Sequence, residues 1–207
     1  MSFRSILVVF LSIIYTVGLF GISSSEFHNY FLSLTFVSLL ISFIALFLAR
    51  KRKQFNWLCF LAFCFCVGMT VEWIGVHTSL LFGNYFYGVN LGPKLYGVPY
   101  IIGINWCIVT VTAASITKQL IRRHPLAPLL AASLMVFLDV LMEPVAIKSD
   151  FWLWENGVIP FYNYVCWFFI SLFLQYIYHY FKLNETNKVN NSLFILMTVF
   201  FIILNLF

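Results

Sequence analysis

The stretch YFLSLTFVSLLISFIALFLARKRK, Tyr30 to Lys53, decides the fold. From Tyr30 to Ala49 it carries no acidic or basic side chain, and its length matches the roughly 20 mainly apolar residues that cross a bilayer as a helix. Arg50, Lys51, Arg52 and Lys53 then close it, and a block of bases beside a span marks the cytoplasmic side. The rest of the chain repeats the pattern. Hydrophobic residues make up 62% of the 207 and charged residues 9%, with a mean hydropathy of +0.95, which excludes an ordinary soluble domain. The apolar runs lack the short alternating segments of a membrane barrel, so the expected fold is all-α, a polytopic transmembrane helix bundle.

Working outward from that stretch, the first span is expected at about Ser5–Gly21, the second at Tyr30–Ala49 and the third at Phe55–Gly75. The fourth covers Val98–Thr117, and the fifth opens at Pro125 and Pro128 and ends at Glu143-Pro144. The sixth runs from Ile159 to Phe181 and the seventh from Ser192 to Phe207. The first run also has the base and apolar core of a signal peptide, but no convincing small-x-small cleavage site follows it. With the amino terminus cytoplasmic, ten of the twelve bases face the cytoplasm and only Lys94 and Lys148 lie outside. The net charge of +5 is therefore read as a topology signal, with no nucleic-acid partner expected and the lipid bilayer as surroundings. No linker, repeat or appended soluble domain interrupts residues 1–207, so one membrane domain is expected.

In this topology Glu72, Asp139 and Glu143, three of the seven acidic residues, lie at one depth near the outer face. Carboxyls inside spans are costly and mark functional sites. Asp139 and Glu143 are four apart, on one helix face about 6 Å from each other along the axis, so the pair resists ionising together and supplies a donor beside an acceptor. The bland alternative is a rim acid meeting water and a second acid bonded to a neighbouring helix. Between Thr78 and Gly97, glycines alternate with Phe82, Tyr85, Phe86, Tyr87 and Tyr96, the makings of a lid that dips into the bundle or of an interfacial aromatic belt. Trp152 and Trp154 repeat the theme in the second outer loop, as belt residues or as walls shared with Trp73 and Trp106. His77 stands near Glu72 without a second histidine to complete a metal site, and no metal is expected. Cys59, Cys64, Cys66, Cys107 and Cys166 fall in apolar runs and are expected to pack as small hydrophobes. Asn105 and Asn163 are intramembrane amides suited to bonding across helices or to orienting a water near the acids.

These pieces form an ordered series: Glu72-x-x-Gly75, Phe82-Gly83-x-Tyr85-x-Tyr87, Leu91-Gly92-Pro93-Lys94-Leu95-x-Gly97-Val98-Pro99 with Trp106, Asp139-x-x-x-Glu143-Pro144, Trp152-x-Trp154 and Pro160-x-x-Asn163-x-x-x-Trp167. The series resembles the carotenoid biosynthesis membrane proteins, which include end-group hydratases of monocyclic carotenoid and bacterioruberin pathways. It covers roughly Glu72 to Trp167. The chain departs from the family pattern at Ser79, where glycine is usual, and at Glu143, where aspartate is more common. The resemblance implies addition of water across the terminal double bond of an acyclic carotenoid end, giving a tertiary alcohol. Asp139 or Glu143 would be the acid, and Glu72 or the remaining carboxylate would take the proton from water. Tyr85, Trp106 and Trp152 would face the cation, while Tyr87, Trp154, Asn163 and His77 would line the substrate. That chemistry requires no cofactor. Other enzymes of carotenoid biosynthesis are candidate partners. A carotenoid cyclase would begin with the same protonation, and a small transporter would use the acids as a cation or proton pathway.

Overall fold

A computed structural model describes residues 1–51, 54–121 and 124–207; four of the bases used for orientation, Arg52, Lys53, Arg122 and Arg123, lie outside the described residues. The helices are α1 (Phe3–Ser23), α2 (His28–Ser33), α3 (Thr35–Ala49), α4 (Phe55–Thr78), α5 (Tyr100–Leu120), α6 (Ala127–Lys148), α7 (Phe161–Tyr180) and α8 (Lys188–Leu204). The fold is all-α in its spanning part. Of these, α1, α4, α5 and α6 are long and apolar enough to cross a membrane, while α3 and α8 are apolar but shorter.

The expected second span is broken rather than continuous. It divides at Leu34 into α2 and α3, and the Leu34 amide bonds to the Phe31 carbonyl in a tightened turn. Ser33 and Ser38 hydroxyls bond back to the carbonyls of Tyr30 and Thr35, competing with the helical ladder at the break. The expected end of the fifth span is also displaced. Pro144 lies inside α6, which continues to Lys148, since proline removes only one ladder bond and the last turn re-forms beyond it. Glu143 is thus more than a turn inside its helix, and Glu72, with α4 running on to Thr78, lies nearly two turns inside.

Helix α5 is the axis of the bundle, buried along most of its length and touching α3, α4, α6, α7 and α8. Gly103, Ala113, Ala114 and Ser115 keep its surface low, so neighbours approach closely in the manner of membrane-helix packing. At one end of the bundle Arg4 bonds to the Ala49 carbonyl at 2.9 Å and to Glu185 at 2.8 Å, and Lys118 bonds to the Asn184 carbonyl at 2.5 Å. The described bases Arg4, Arg50, Lys51 and Lys118 thereby gather opposite Lys94, whose ammonium bonds to the Tyr87 carbonyl at 2.6 Å.

At that second end the two long loops are paired strands, not independent coils. Strand β1 (Tyr85–Tyr87) runs antiparallel to β4 (Trp152–Trp154), and β2 (Lys94–Leu95) pairs with β3 (Val98–Pro99). Successive strand residues point to opposite faces, so Tyr85 and Tyr87 turn inward while Phe86 is exposed. The result is a cover across the mouth of the bundle.

Candidate active site

The cover aims four aromatic donors at two carboxylates. The phenol hydroxyls of Tyr85 and Tyr87 donate to Glu72 Oε2 at 2.5 and 2.7 Å, and the Trp106 indole N–H donates to Oε1 at 3.0 Å. From the other strand, the indole N–H groups of Trp152 and Trp154 donate to Glu143 Oε2 at 3.0 and 2.7 Å. The Asn163 amide of α7 spends its two hydrogens as a bridge, at 2.9 Å to Glu143 Oε1 and 3.1 Å to Asp139 Oδ2. All three acids are buried.

Two glycines make this possible. A Cβ on Gly75 would lie 2.7 Å from the Tyr85 hydroxyl, and one on Gly68 would lie 2.7 Å from the Trp106 ring. Both side chains reach Glu72 only because the facing turns of α4 carry no side chain. Trp106 in turn lies flat on Trp167, with ring centroids 4.0 Å apart and planes 12° from parallel.

The hydrogen bonding separates the acids. A carboxylate accepts and does not donate, so Glu72 and Glu143, each ringed by three side-chain donors, are dressed as anions. Asp139 accepts one bond, and its Oδ1 is buried with no partner among the described residues. An orphaned carboxyl oxygen in a dry site carries a large desolvation cost unless a proton or a ligand relieves it. Asp139 is therefore the acid whose chemistry is uncommitted.

The cover phenols belong to the same electrostatic unit. Burial, followed by the charge of adjacent Glu72, raises both Tyr85 and Tyr87 far above the ordinary phenol range, which keeps them as donors.

The acids and rings enclose a cavity of about 30 Å³, lined by Glu72, Asp139, Glu143, Asn105, Trp106 and Trp167 among others. Of the ten residues singled out from the sequence, nine meet here, since Tyr85, Tyr87, Trp106, Trp152, Trp154 and Asn163 line it with the three acids. His77 does not. It is exposed, with Nδ1 2.9 Å from the Trp73 carbonyl and its ring stacked on Trp73, which itself faces outward. Trp167, which closes the last motif of the ordered series but was given no role in the site, also lines the cavity, four residues after Asn163 on the same face of α7. Ile102 and Met142 also line the cavity, and nothing in the sequence distinguished them from other apolar residues.

The family model described as carotenoid biosynthesis protein matches residues 31–207, a wider stretch than the motif series from Glu72 to Trp167. A bisanhydrobacterioruberin hydratase of Haloarcula japonica is 27% identical over 105 residues, covering 47% of this chain and 36% of that relative. The chain thus spans about a third of the length of the curated relative it matches. No solved structure matches it. With the family match extending over most of its length, the chain belongs to the carotenoid biosynthesis protein family.

Proposed function

We propose that this protein is a carotenoid end-group hydratase. The observation that carries the reading is the unpartnered Asp139 Oδ1 beside two fully hydrogen-bonded carboxylates in an aromatic chamber. In its protonated form Asp139 gives its proton to the less substituted carbon of a terminal trisubstituted alkene, and the π electrons form the new C–H bond. The tertiary cation left on the neighbouring carbon faces the stacked Trp106 and Trp167 rings and the anionic Glu72 and Glu143. A water oxygen bonds to that carbon, and its surplus proton passes to ionised Asp139, returning the site to its starting state. The sum is addition of one water. Family membership and the name of the Haloarcula japonica relative support the substrate class and the reaction.

A cyclase would share the first step, and one feature of the acid chamber favours hydration. Asn105 lines that chamber with an amide free of protein partners among the described residues, a group suited to holding a water. In this reading the chain crosses the cytoplasmic membrane of a prokaryote about seven times, with the cover on the outer side and other enzymes of carotenoid biosynthesis as neighbours.

The test is expression in a lycopene-producing cell followed by mass analysis of the pigments. A gain of one water is expected. An isomer of unchanged mass would assign cyclisation instead, and unchanged pigment with altered ion flux would assign transport. Asp139→Asn is expected to lower conversion by at least ~100-fold, the lower range for loss of a general acid, while the protein remains in the membrane.

A further inference from the structure

A second cavity, of about 330 Å³, lies behind the acid chamber between α1, α3, α5, α6 and α8. Its walls are almost wholly aliphatic and aromatic, and its size falls in the roughly 300–1,000 Å³ range of small-molecule sites. Three relationships define it. Its inner end shares Ile102, Asn105, Met142 and Trp152 with the acid chamber, so one wall of residues divides the two spaces. Its outer rim includes Ile13 and Val17 of α1 and Val37 of α3, all about half exposed on the apolar flank of the bundle. Helix α1, which forms that side, buries only Leu11 and Gly21. The space therefore runs from the lipid-facing surface to the wall it shares with the acid chamber.

We propose that this cavity seats one linear isoprenoid polyene, drawn sideways from the bilayer at the seam between α1 and α3, with its end passed into the acid chamber. The inference rests on the hydration reading for the chemistry at the inner end, but the binding site itself does not. A long hydrocarbon dissolved in the membrane has no reason to approach through the polar cover, where Lys94, Asn84 and Glu155 are fixed by hydrogen bonds. The lateral route keeps it in apolar surroundings throughout. Met142 stands where the end of the chain must pass, and an unbranched thioether can change rotamer to widen the constriction. Asn105 lies at the same point, on the wall common to both cavities. The part of the polyene beyond the cavity lies along the rim in lipid.

Gly18 offers a clean test, because it lines the cavity and a Cβ there meets only Phe200 at 3.8 Å, an ordinary contact. Full-length protein in phosphatidylcholine nanodiscs would be loaded with lycopene, and the polyene that co-elutes measured by absorbance. Wild type and Gly18→Ala are expected to retain about one polyene each, while Gly18→Phe retains at least ten-fold less. Val37→Trp, at the exposed rim and outside the core, is expected to do the same and guards against a folding defect in Gly18→Phe. Asp139→Asn is expected to bind like wild type without converting its pigment. Retention of lycopene by both blocking variants would overturn the cavity assignment, as would wild type that keeps phospholipid but takes up no polyene. Blocked binding together with a wild type that hydrates nothing would instead overturn the hydratase reading and leave the binding site standing.

Discussion

Tyr85 and Trp154 face each other across the β1–β4 pair with ring centroids 5.2 Å apart, yet their polar hydrogens go to different acids, Tyr85 to Glu72 and Trp154 to Glu143. The cover is thus pinned at two points on two helices, α4 and α6. That division of labour separates what is expected of Glu72 from what is expected of Asp139.

Glu72→Gln replaces an all-acceptor group by one whose amide nitrogen must face a donor. Losing one charge-assisted hydrogen bond among buried groups costs about 1.5–3 kcal/mol. We expect a lower melting temperature and faster hydrogen exchange at the Tyr85–Tyr87 amides, neither of which Asp139→Asn should show. Glu72→Gln with unchanged exchange but no conversion would give Glu72 a proton-transfer role in place of a positioning one.

Gly75→Ala improves intrinsic helix propensity by about 1 kcal/mol, which alone would stabilise α4. Its methyl, however, would stand 2.7 Å from the Tyr85 hydroxyl. Conversion is expected to fall at least ten-fold, and Tyr85→Phe in the same background should add little further loss. Additive losses in the double variant would separate Gly75 from the Tyr85 contact.

The raised phenols make a pH prediction with a definite sign. Folded Tyr85 and Tyr87 stay neutral far above the unfolded value of about 10, so their contribution is complete below that pH. As pH rises beyond it the unfolded chain ionises while the folded one does not, and stability declines toward the raised folded values. Unfolding in detergent measured from pH 9 to 12 should show this decline, and it should be shallower in Tyr87→Phe. An identical slope in that variant would place the pH dependence elsewhere.

Ser79 ends α4 with φ at 56°, in the left-handed region, and its hydroxyl contacts the Asn84 side chain. Glycine at this position removes the strain of a Cβ, so Ser79→Gly is expected to keep full conversion and to gain up to about 1 kcal/mol. Ser79→Val, β-branched in the same conformation, should cost about 1–2 kcal/mol. Equal melting temperatures for the two would contradict a backbone origin.

Much of the site was legible because membrane chains spend few polar residues. Glu72, Asp139 and Glu143 stood out against an apolar background, and the charge pattern placed them at one end of the bundle. The aromatic loops were legible as either a lid or an interfacial belt, but their strand pairing was not, since a three-residue strand such as Tyr85–Tyr87 has too short a pattern to announce its partner. The break at Leu34 is not legible for a similar reason, because serines and threonines are tolerated within apolar spans as well as at their breaks. His77, close to Glu72 in sequence, ended outside the chamber because five residues along a helix place it on a different face.

By itself the sequence determined that this protein is a bundle of apolar helices, and that its acids and aromatic loops belong to one end. Both follow from solvation, since lipid admits only self-satisfied helices and penalises every charge it meets. Which acid is left with a bare oxygen was decided only by the tertiary structure. That depends on where the hydrogens of Tyr85, Tyr87, Trp106, Trp152, Trp154 and Asn163 end, and hydrogen-bond partners on different elements are set by packing. The apolar cavity behind the chamber is equally a product of helix placement, for no single helix contains it.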